Sequence, residues 1–391
     1  GGGAATARSS ADAIAEALHA AGVRHAFGIP GGEVVAMIDA LERAGIRFRL
    51  ARHENAAGFM AEATYRMTGA PAVLVATLGP GLANAVNVIA NAAQDRAALI
   101  VISGRVPEAE ALTYSHQVFD HQAVLRPLVK ASFEARAGAC GTMIAKAIRL
   151  ATDPRPGPVH VDLPIPVAAA AEPGPGPAPR PAAAPAAPAE GPALEAARAR
   201  VAAAERPVIV AGHDLLAEPG SAEALRATAR AQAIPVLTTY RAKGVMPEDD
   251  PLSLGGHGLS PRSDGIVLPL LAAADCVIAL GYDPIEMRGG WREPWDPAVC
   301  VEIAHAPDRQ GMHGAAVSWS CGLAAGLAAV TEGRAPRATS PGGEVAAARA
   351  ALADAFAPGE AWGPARVFAT LDRLTPEDAV VTVDSGAHRI L

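Results

Sequence analysis

Aromatic residues make up only 4% of this 391-residue chain, so Ala fills many positions where Leu or Ile would be usual. Cysteine is also scarce: Cys140, Cys276, Cys300 and Cys321 lie far apart, with no C-x-x-C pair. That spacing argues against a disulfide framework or zinc ribbon and makes a reducing cytoplasm the simplest home. No apolar run approaches the ~18 residues that span a bilayer, so no membrane segment is expected. Positive charge is in deficit, with 33 Lys and Arg against 40 Asp and Glu. A net charge of -7 leaves no basic footprint for nucleic acid or anionic lipid. Neither α/β segment opens with G-x-G-x-x-G, which argues against a nicotinamide dehydrogenase. The opening Gly1-Gly2-Gly3 has no Met and no signal-peptide charge pattern, and reads as a trimmed end.

What is present is a globular composition, 50% apolar and 19% charged, long enough for two or three domains. Residues 8–167 alternate helix and strand signals: helices over 11–21, 33–44, 55–67 and 84–93, strands over 24–29, 48–51, 72–76 and 98–103. Such alternation predicts a parallel sheet covered on both faces. Residues 168–192 are almost entirely Ala, Pro, Gly and Glu, and read as an extended linker. A second α/β pattern fills 193–333, with helices over 194–204 and 221–233 and strands over 207–212, 234–238, 275–281 and 299–303. Residues 345–391 begin a third unit, with helices over 345–355 and 362–374 and a strand over 379–383. The predicted fold class is therefore α/β: two complete doubly wound parallel-sheet domains, the second Rossmann-like, plus the stub of a third.

Chemistry concentrates at strand-to-helix junctions, where open α/β sheets bind ligands. Arg52-His53-Glu54-Asn55 places a carboxylate at such a junction, although a glutamate there also suits the dipole of a helix N-terminus. Thr77-Leu78-Gly79-Pro80-Gly81-Leu82-Ala83-Asn84 is a second junction, whose glycines let a ligand approach backbone N–H groups. Phe27-Gly28-Ile29-Pro30-Gly31-Gly32 is a third.

In order and spacing, F-G-x-P-G-G, R-H-E-x-x-A and T-x-G-P-G-x-x-N resemble the pyrimidine-binding domain of thiamine-diphosphate-dependent enzymes. The likeness continues through Ala90 to Arg96, Ile102-Ser103-Gly104, and the second domain's Pro207 to Gly212 and Lys243-Gly244. It implies that 8–167 is the pyrimidine-binding domain, 193–333 the central domain and 345–391 the start of a diphosphate-binding domain. It also implies that Glu54 bonds a ring nitrogen of the cofactor and so promotes loss of the thiazolium C2 proton. Pro30, Gly31, Gly79, Pro80, Gly81 and Asn84 would then shape the cofactor pocket.

Within that family, Tyr114-Ser115-His116-Gln117-Val118-Phe119-Asp120 resembles acetolactate synthases of the catabolic, FAD-free form, as does Gly281-Tyr282-Asp283-Pro284-Ile285-Glu286. The resemblance implies that Gln117 orients an intermediate and His116 contacts substrate; His116 and His121 read equally well as polar loop residues. FAD is not expected. Trp291 and Trp295 sit in an unusually Arg-rich stretch, and Cys321-Gly322 stands where relatives place Gly-Asp.

The activity implied is decarboxylation of pyruvate and addition of the hydroxyethyl carbanion to a second 2-oxo acid, in branched-chain amino acid biosynthesis or acetoin formation. The alternatives are another thiamine-diphosphate 2-oxo acid decarboxylase or acyltransferase, or a non-catalytic homologue that only binds. Relatives hold Mg²⁺ and the diphosphate through a G-D-G…N signature, whose oxygen ligands suit that ion. No such signature follows Asp384, so no metal ligand is named and this fragment alone is expected to be inactive. Gly386, Ala387 and His388 resemble a diphosphate-contacting stretch. The family's sites lie between subunits, which implies a homodimer or homotetramer.

Overall fold

A computed structural model describes residues 8–174, 186–308, 310–359, 361–383 and 386. The chain divides into two units, residues 1–182 and 183–391.

The first unit contains β1 (His25–Gly28), β2 (Arg47–Leu50), β3 (Ala72–Ala76), β4 (Leu99–Arg105), β5 (Ala131–Glu134) and β6 (Val159–Pro164). They form one six-stranded parallel sheet in the order β2-β1-β3-β4-β6-β5. Both faces are covered, so the central strand β3 is a continuous apolar run. Its residues divide with period two. Leu74 packs with Ala57, Ala61, Val88 and Ile89, while Val73 and Val75 join Ile14, Leu18, Met37 and Leu41 on the other face.

Three helices follow from local signals. α1 (Ser10–Ala20) opens on a capping box between Ser9 and Asp12. α2 (Val35–Arg43) presents Met37, Ala40 and Leu41 to the core. α3 (Glu54–Thr68) is capped by His53, which accepts from the Asn55 N–H, and ends on the left-handed Gly69. Where sequence predicts one helix over 84–93, the structure has two, α4 (Pro80–Asn84) and α5 (Val86–Gln94), hinged at Ala85. The chain lays β2 on one side of β1 and β3 on the other. The sheet therefore reverses direction between β1 and β3, the place where open α/β sheets gather ligands.

Sequence patterning did not disclose β5, β6 or the helix Cys140–Thr152. In β6, Val159-His160-Val161-Asp162 alternates polar and apolar residues although all four are buried, which disguises a buried strand. The Ala/Pro-rich stretch also starts as packed chain. Ala168 is buried, Ala171 pairs with Ser9, and the Glu172 carboxylate accepts from Ser10 Oγ at 3.0 Å and from the Gly138 and Gly141 N–H groups at 3.1 Å.

The second unit contains β7 (Pro207–Ala211), β8 (Val236–Thr239), β9 (Ser253–His257), β10 (Cys276–Leu280), β11 (Cys300–Ala304) and β12 (Val317–Ser320). They make a second six-stranded parallel sheet, in the order β12-β11-β10-β7-β8-β9. Its reversal lies between β7 and β10. Trp291 and Trp295, from the Arg-rich stretch, are buried in its core.

The helix Glu344–Ala355, which sequence assigns to a third domain, packs on this second unit. Ala348, Val345 and Leu352 join its core, and the Arg349 guanidinium donates to the Asp250 carbonyl at 2.8 Å. The helix Pro364–Leu374 buries nothing. The strand expected over 379–383 does not form: the segment is irregular, with Val380, Val381 and Val383 exposed. A strand exists only through ladder bonds to a neighbour, and none of the described strands pairs with this segment. Among the described residues, no helix is long and apolar enough to cross a membrane.

Candidate functional site

Loops after β1, β2 and β3 converge at the reversal of the first sheet and deliver Pro30 and Gly31, Glu54, and Gly79 to Asn84 in turn. Glu54 opens α3 directly after β2 and is only 7% exposed. One carboxylate oxygen, Oε2, accepts from Asn84 Nδ2 at 3.0 Å. Among the described residues, Oε1 accepts no hydrogen bond. Oε1 is therefore open to an incoming polar partner.

Thr77 is the hub beneath that oxygen. A Cβ added at Gly31 would lie 2.2 Å from Thr77 Cγ2, and one added at Gly81 would lie 2.2 Å from Thr77 Oγ1 and 3.4 Å from Glu54 Oε1. Both positions therefore require glycine because of space. Gly79 has φ 59° and ψ -115°, a conformation open only to glycine, and its Cβ would strike the Gln117 carbonyl oxygen at 2.2 Å. Pro80 supplies the first residue of α4, where a missing N–H costs nothing. Pro30 is exposed beside Gly31.

Gln117 thus reaches the site through its backbone, in a left-handed conformation with φ 59°, and its side chain is exposed. His116 is exposed as well, edge-on to Tyr114 with ring centroids 6.1 Å apart. His121, four residues beyond Gln117, is buried, and its Nε2 accepts from the Gly79 N–H at 3.0 Å.

The chain's sequence matches two family profiles. "Thiamine pyrophosphate enzyme, N-terminal TPP binding domain" covers residues 8–124 and "Thiamine pyrophosphate enzyme, central domain" covers residues 194–328. The chain belongs to the thiamine pyrophosphate (thiamine diphosphate) enzyme family. It is 33% identical over 278 residues to an acetolactate synthase of Bacillus subtilis, covering 71% of this chain and 48% of that protein. It is 36% identical over 276 residues to the acetolactate synthase isozyme 1 large subunit of Escherichia coli, covering 70% and 48%. A catabolic acetolactate synthase of Raoultella terrigena is 36% identical over 148 residues, covering 38% and 26%. The chain spans about half the length of the first two of these relatives.

For a thiamine diphosphate enzyme the first unit offers a fitting cradle. A buried carboxylate with one open oxygen lies under a turn of glycines that a side chain would obstruct. Gly386 is exposed in a bend, while Ala387 and His388 fall outside the described residues. The sequence motif includes Thr77 but assigns it no role, because its contacts need β1 and β3 to be neighbours, and it leaves the working partners of His121 unseen. The signal for the latter was the alternation in β6, which puts His160 and Asp162 on one face.

His121, His160 and Asp162 are also the described cluster whose donor atoms lie close enough, within 4.8 Å, to hold a metal ion. Two imidazoles and one carboxylate do not suit Mg²⁺, which prefers oxygen ligands. These groups already bond one another or their neighbours.

In the second unit the corresponding crevice is filled by the chain itself. A Cβ at Gly212, after β7, would meet the Gly281 carbonyl oxygen and Tyr282 Cα at 2.4 Å, so the two loops touch. The Glu286 carboxyl lies there, accepting from the His213 N–H at 3.1 Å and from Thr239 Oγ1. Burial pushes its pKa up to about 7, against the lowering effect of those hydrogen bonds.

Proposed function

We propose that this chain forms the pyrimidine-activating part of an acetolactate-synthase-type carboligase, which joins two 2-oxo acids with loss of CO₂. The observation that carries the reading is Glu54, buried at the sheet reversal with Oε2 fixed by Asn84 and Oε1 open. Thiamine diphosphate, when bound, supplies the electron sink for decarboxylation. Glu54 would share a proton with a pyrimidine ring nitrogen through Oε1. Gly31, Gly79 and Gly81 would let the ring lie against backbone, and the Gln117 loop would face the reacting carbon.

Pyruvate is the donor we propose, on the strength of the acetolactate synthase relatives. A second subunit would complete the site. Exposed Leu50, Phe59 and Met60, on β2 and the first turns of α3, support an apolar partner surface beside Glu54. The contact between the Gly212 and Tyr282 loops, with Glu286 at the His213 N–H, supports a central domain that does without FAD. Mg²⁺ is assigned no ligand among the described residues. Four buried free thiols support a cytoplasmic site of action.

The test is Glu54→Gln. With pyruvate, thiamine diphosphate and Mg²⁺, the native enzyme should give acetoin after acidification. The variant should lose about 10²–10⁴-fold in C2 proton exchange and turnover, as expected for a lost acid–base group. Wild-type exchange rates in Glu54→Gln would reject the assignment. Release of CO₂ without acetoin would reject the carboligase activity alone.

A further inference from the structure

A buried chain of hydrogen bonds ends on the glycine turn, and its polarity can be read from its donors. The Gly79 N–H can only donate, so His121 Nε2 is bare and Nδ1 carries the ring proton. That proton is donated to Asp162 Oδ1 at 2.7 Å. Ser103 Oγ also donates to Asp162 Oδ1 at 2.7 Å, which obliges it to accept from His160 Nε2, again at 2.7 Å. In the neutral ring, His160 Nδ1 then accepts from Ser132 Oγ at 2.7 Å. Both branches point their donors at one carboxylate.

Asp162 is 1% exposed. Burial alone would raise its pKa, but the hydrogen bond from His121 and the His160 ring 3.5 Å away outweigh burial and hold the carboxyl well below the usual range. Arg105, 3.7 Å from Asp162 and paired with Glu134 at 2.5 Å, adds positive charge nearby. A carboxylate so firmly ionised fixes one tautomer of His121.

The geometry points to His121 as a positioning residue: one imidazole, anchored by Asp162, holds the Gly79 turn and the loop carrying Gln117 in register with each other. His121 bonds the Gly79 N–H, and the Gln117 carbonyl oxygen occupies the space that a Cβ at Gly79 would need. His121 itself follows Gln117 by four residues and starts the short helix His121–Leu125, capped by the Asp120 side chain at the Ala123 N–H. Losing the imidazole acceptor would free both the turn and the loop.

This inference rests on the reading of the glycine turn as the cofactor's pyrimidine cradle, and its test separates the two. Glutamine can place an oxygen near the position of Nε2 and keep the bond to Gly79. Asparagine can reach Asp162 but falls short of Gly79. Amide hydrogen exchange in peptides spanning Thr77 to Leu82 reads the turn directly in the chain without cofactor. His121→Gln should exchange within about threefold of wild type, and His121→Asn about tenfold or more faster, as expected when a buried hydrogen bond is lost. Thiamine diphosphate half-saturation should follow the same order, with His121→Asn at least about tenfold weaker. Equal exchange in the two variants, or protection by Asn and not by Gln, would overturn the proposal, since His121 would then act only as a buttress for Asp162. The exchange readout does not involve Glu54. Normal C2 exchange in Glu54→Gln would reject the cofactor reading and leave the Gly79 result standing.

Discussion

Asn84 Nδ2 donates to Glu54 Oε2 over 3.0 Å, from the last residue of one short helix to the first residue of a longer one. The bond occupies one carboxylate oxygen and turns the other toward the glycine cradle. Asn84→Asp preserves the shape but sets a second carboxylate against the first. Two carboxylates so close share one proton, and their titration belongs to the pair. Thiamine diphosphate half-saturation should rise about tenfold at pH 8 and recover toward pH 5, while the wild type changes less over that range. A flat difference between the two proteins across pH would mean that Asn84 acts only through space filling.

Gly31 and Thr77 are in contact through one methyl group. Gly31→Ala places its Cβ 2.2 Å from Thr77 Cγ2, an overpacking that should cost about 1–3 kcal/mol. Thr77→Ser removes that methyl and keeps the hydroxyl. The double variant Gly31→Ala/Thr77→Ser should regain most of the loss in urea unfolding, giving a coupling well outside additivity. Gly81→Ala strikes Thr77 Oγ1 instead, so the same serine should not rescue it. Rescue of both, or of neither, contradicts this geometry.

Gly79 offers no such relief, because its obstruction is the backbone carbonyl of Gln117. Gly79→Ala adds that clash to an unfavourable left-handed conformation, for a loss of about 3 kcal/mol or more. Substituting the Gln117 side chain should restore nothing. Differential scanning calorimetry should place the transition of the first unit roughly 6–12 °C lower.

The parts of this site that sequence could disclose are those written in adjacent residues. Pro30-Gly31, Glu54 at a helix start and Gly79-Pro80-Gly81 each follow a strand directly, and a parallel sheet carries all three to one edge. Thr77 stands in the quoted motif, but its role was silent because that role depends on Gly31, which lies across a strand pair. The His121–Asp162 bond spans 41 residues and joins the start of a short helix to a strand hidden by its own polar alternation. The failed strand at 379–383 marks the opposite limit: Val380, Val381 and Val383 have β propensity, but pairing decides, and no described strand pairs with them.

Glu286 gives the second unit a pH dependence whose sign can be worked out. Its folded pKa is raised to about 7 from an ordinary value of 4.5, because the buried site disfavours the charged form. A raised folded value means that the folded state holds the proton more tightly than the unfolded chain. The associated stability is full below about 4.5 and is lost as pH rises through about 7. A shift of that size corresponds to roughly 3 kcal/mol. Glu286→Gln keeps one acceptor oxygen for the His213 N–H, turns its amide N–H₂ toward Thr239 Oγ1, which can accept, and cannot ionise. Urea unfolding should therefore find the variant close to wild type at pH 4.5. It should find the variant progressively more stable by pH 8, by up to that amount. Comparing the two proteins cancels the titration of groups they share. If wild type instead gained stability on the variant as pH rose, the buried carboxyl would have to be welcomed as an anion, and the crevice between β7 and β10 would be an anion site rather than a closed one.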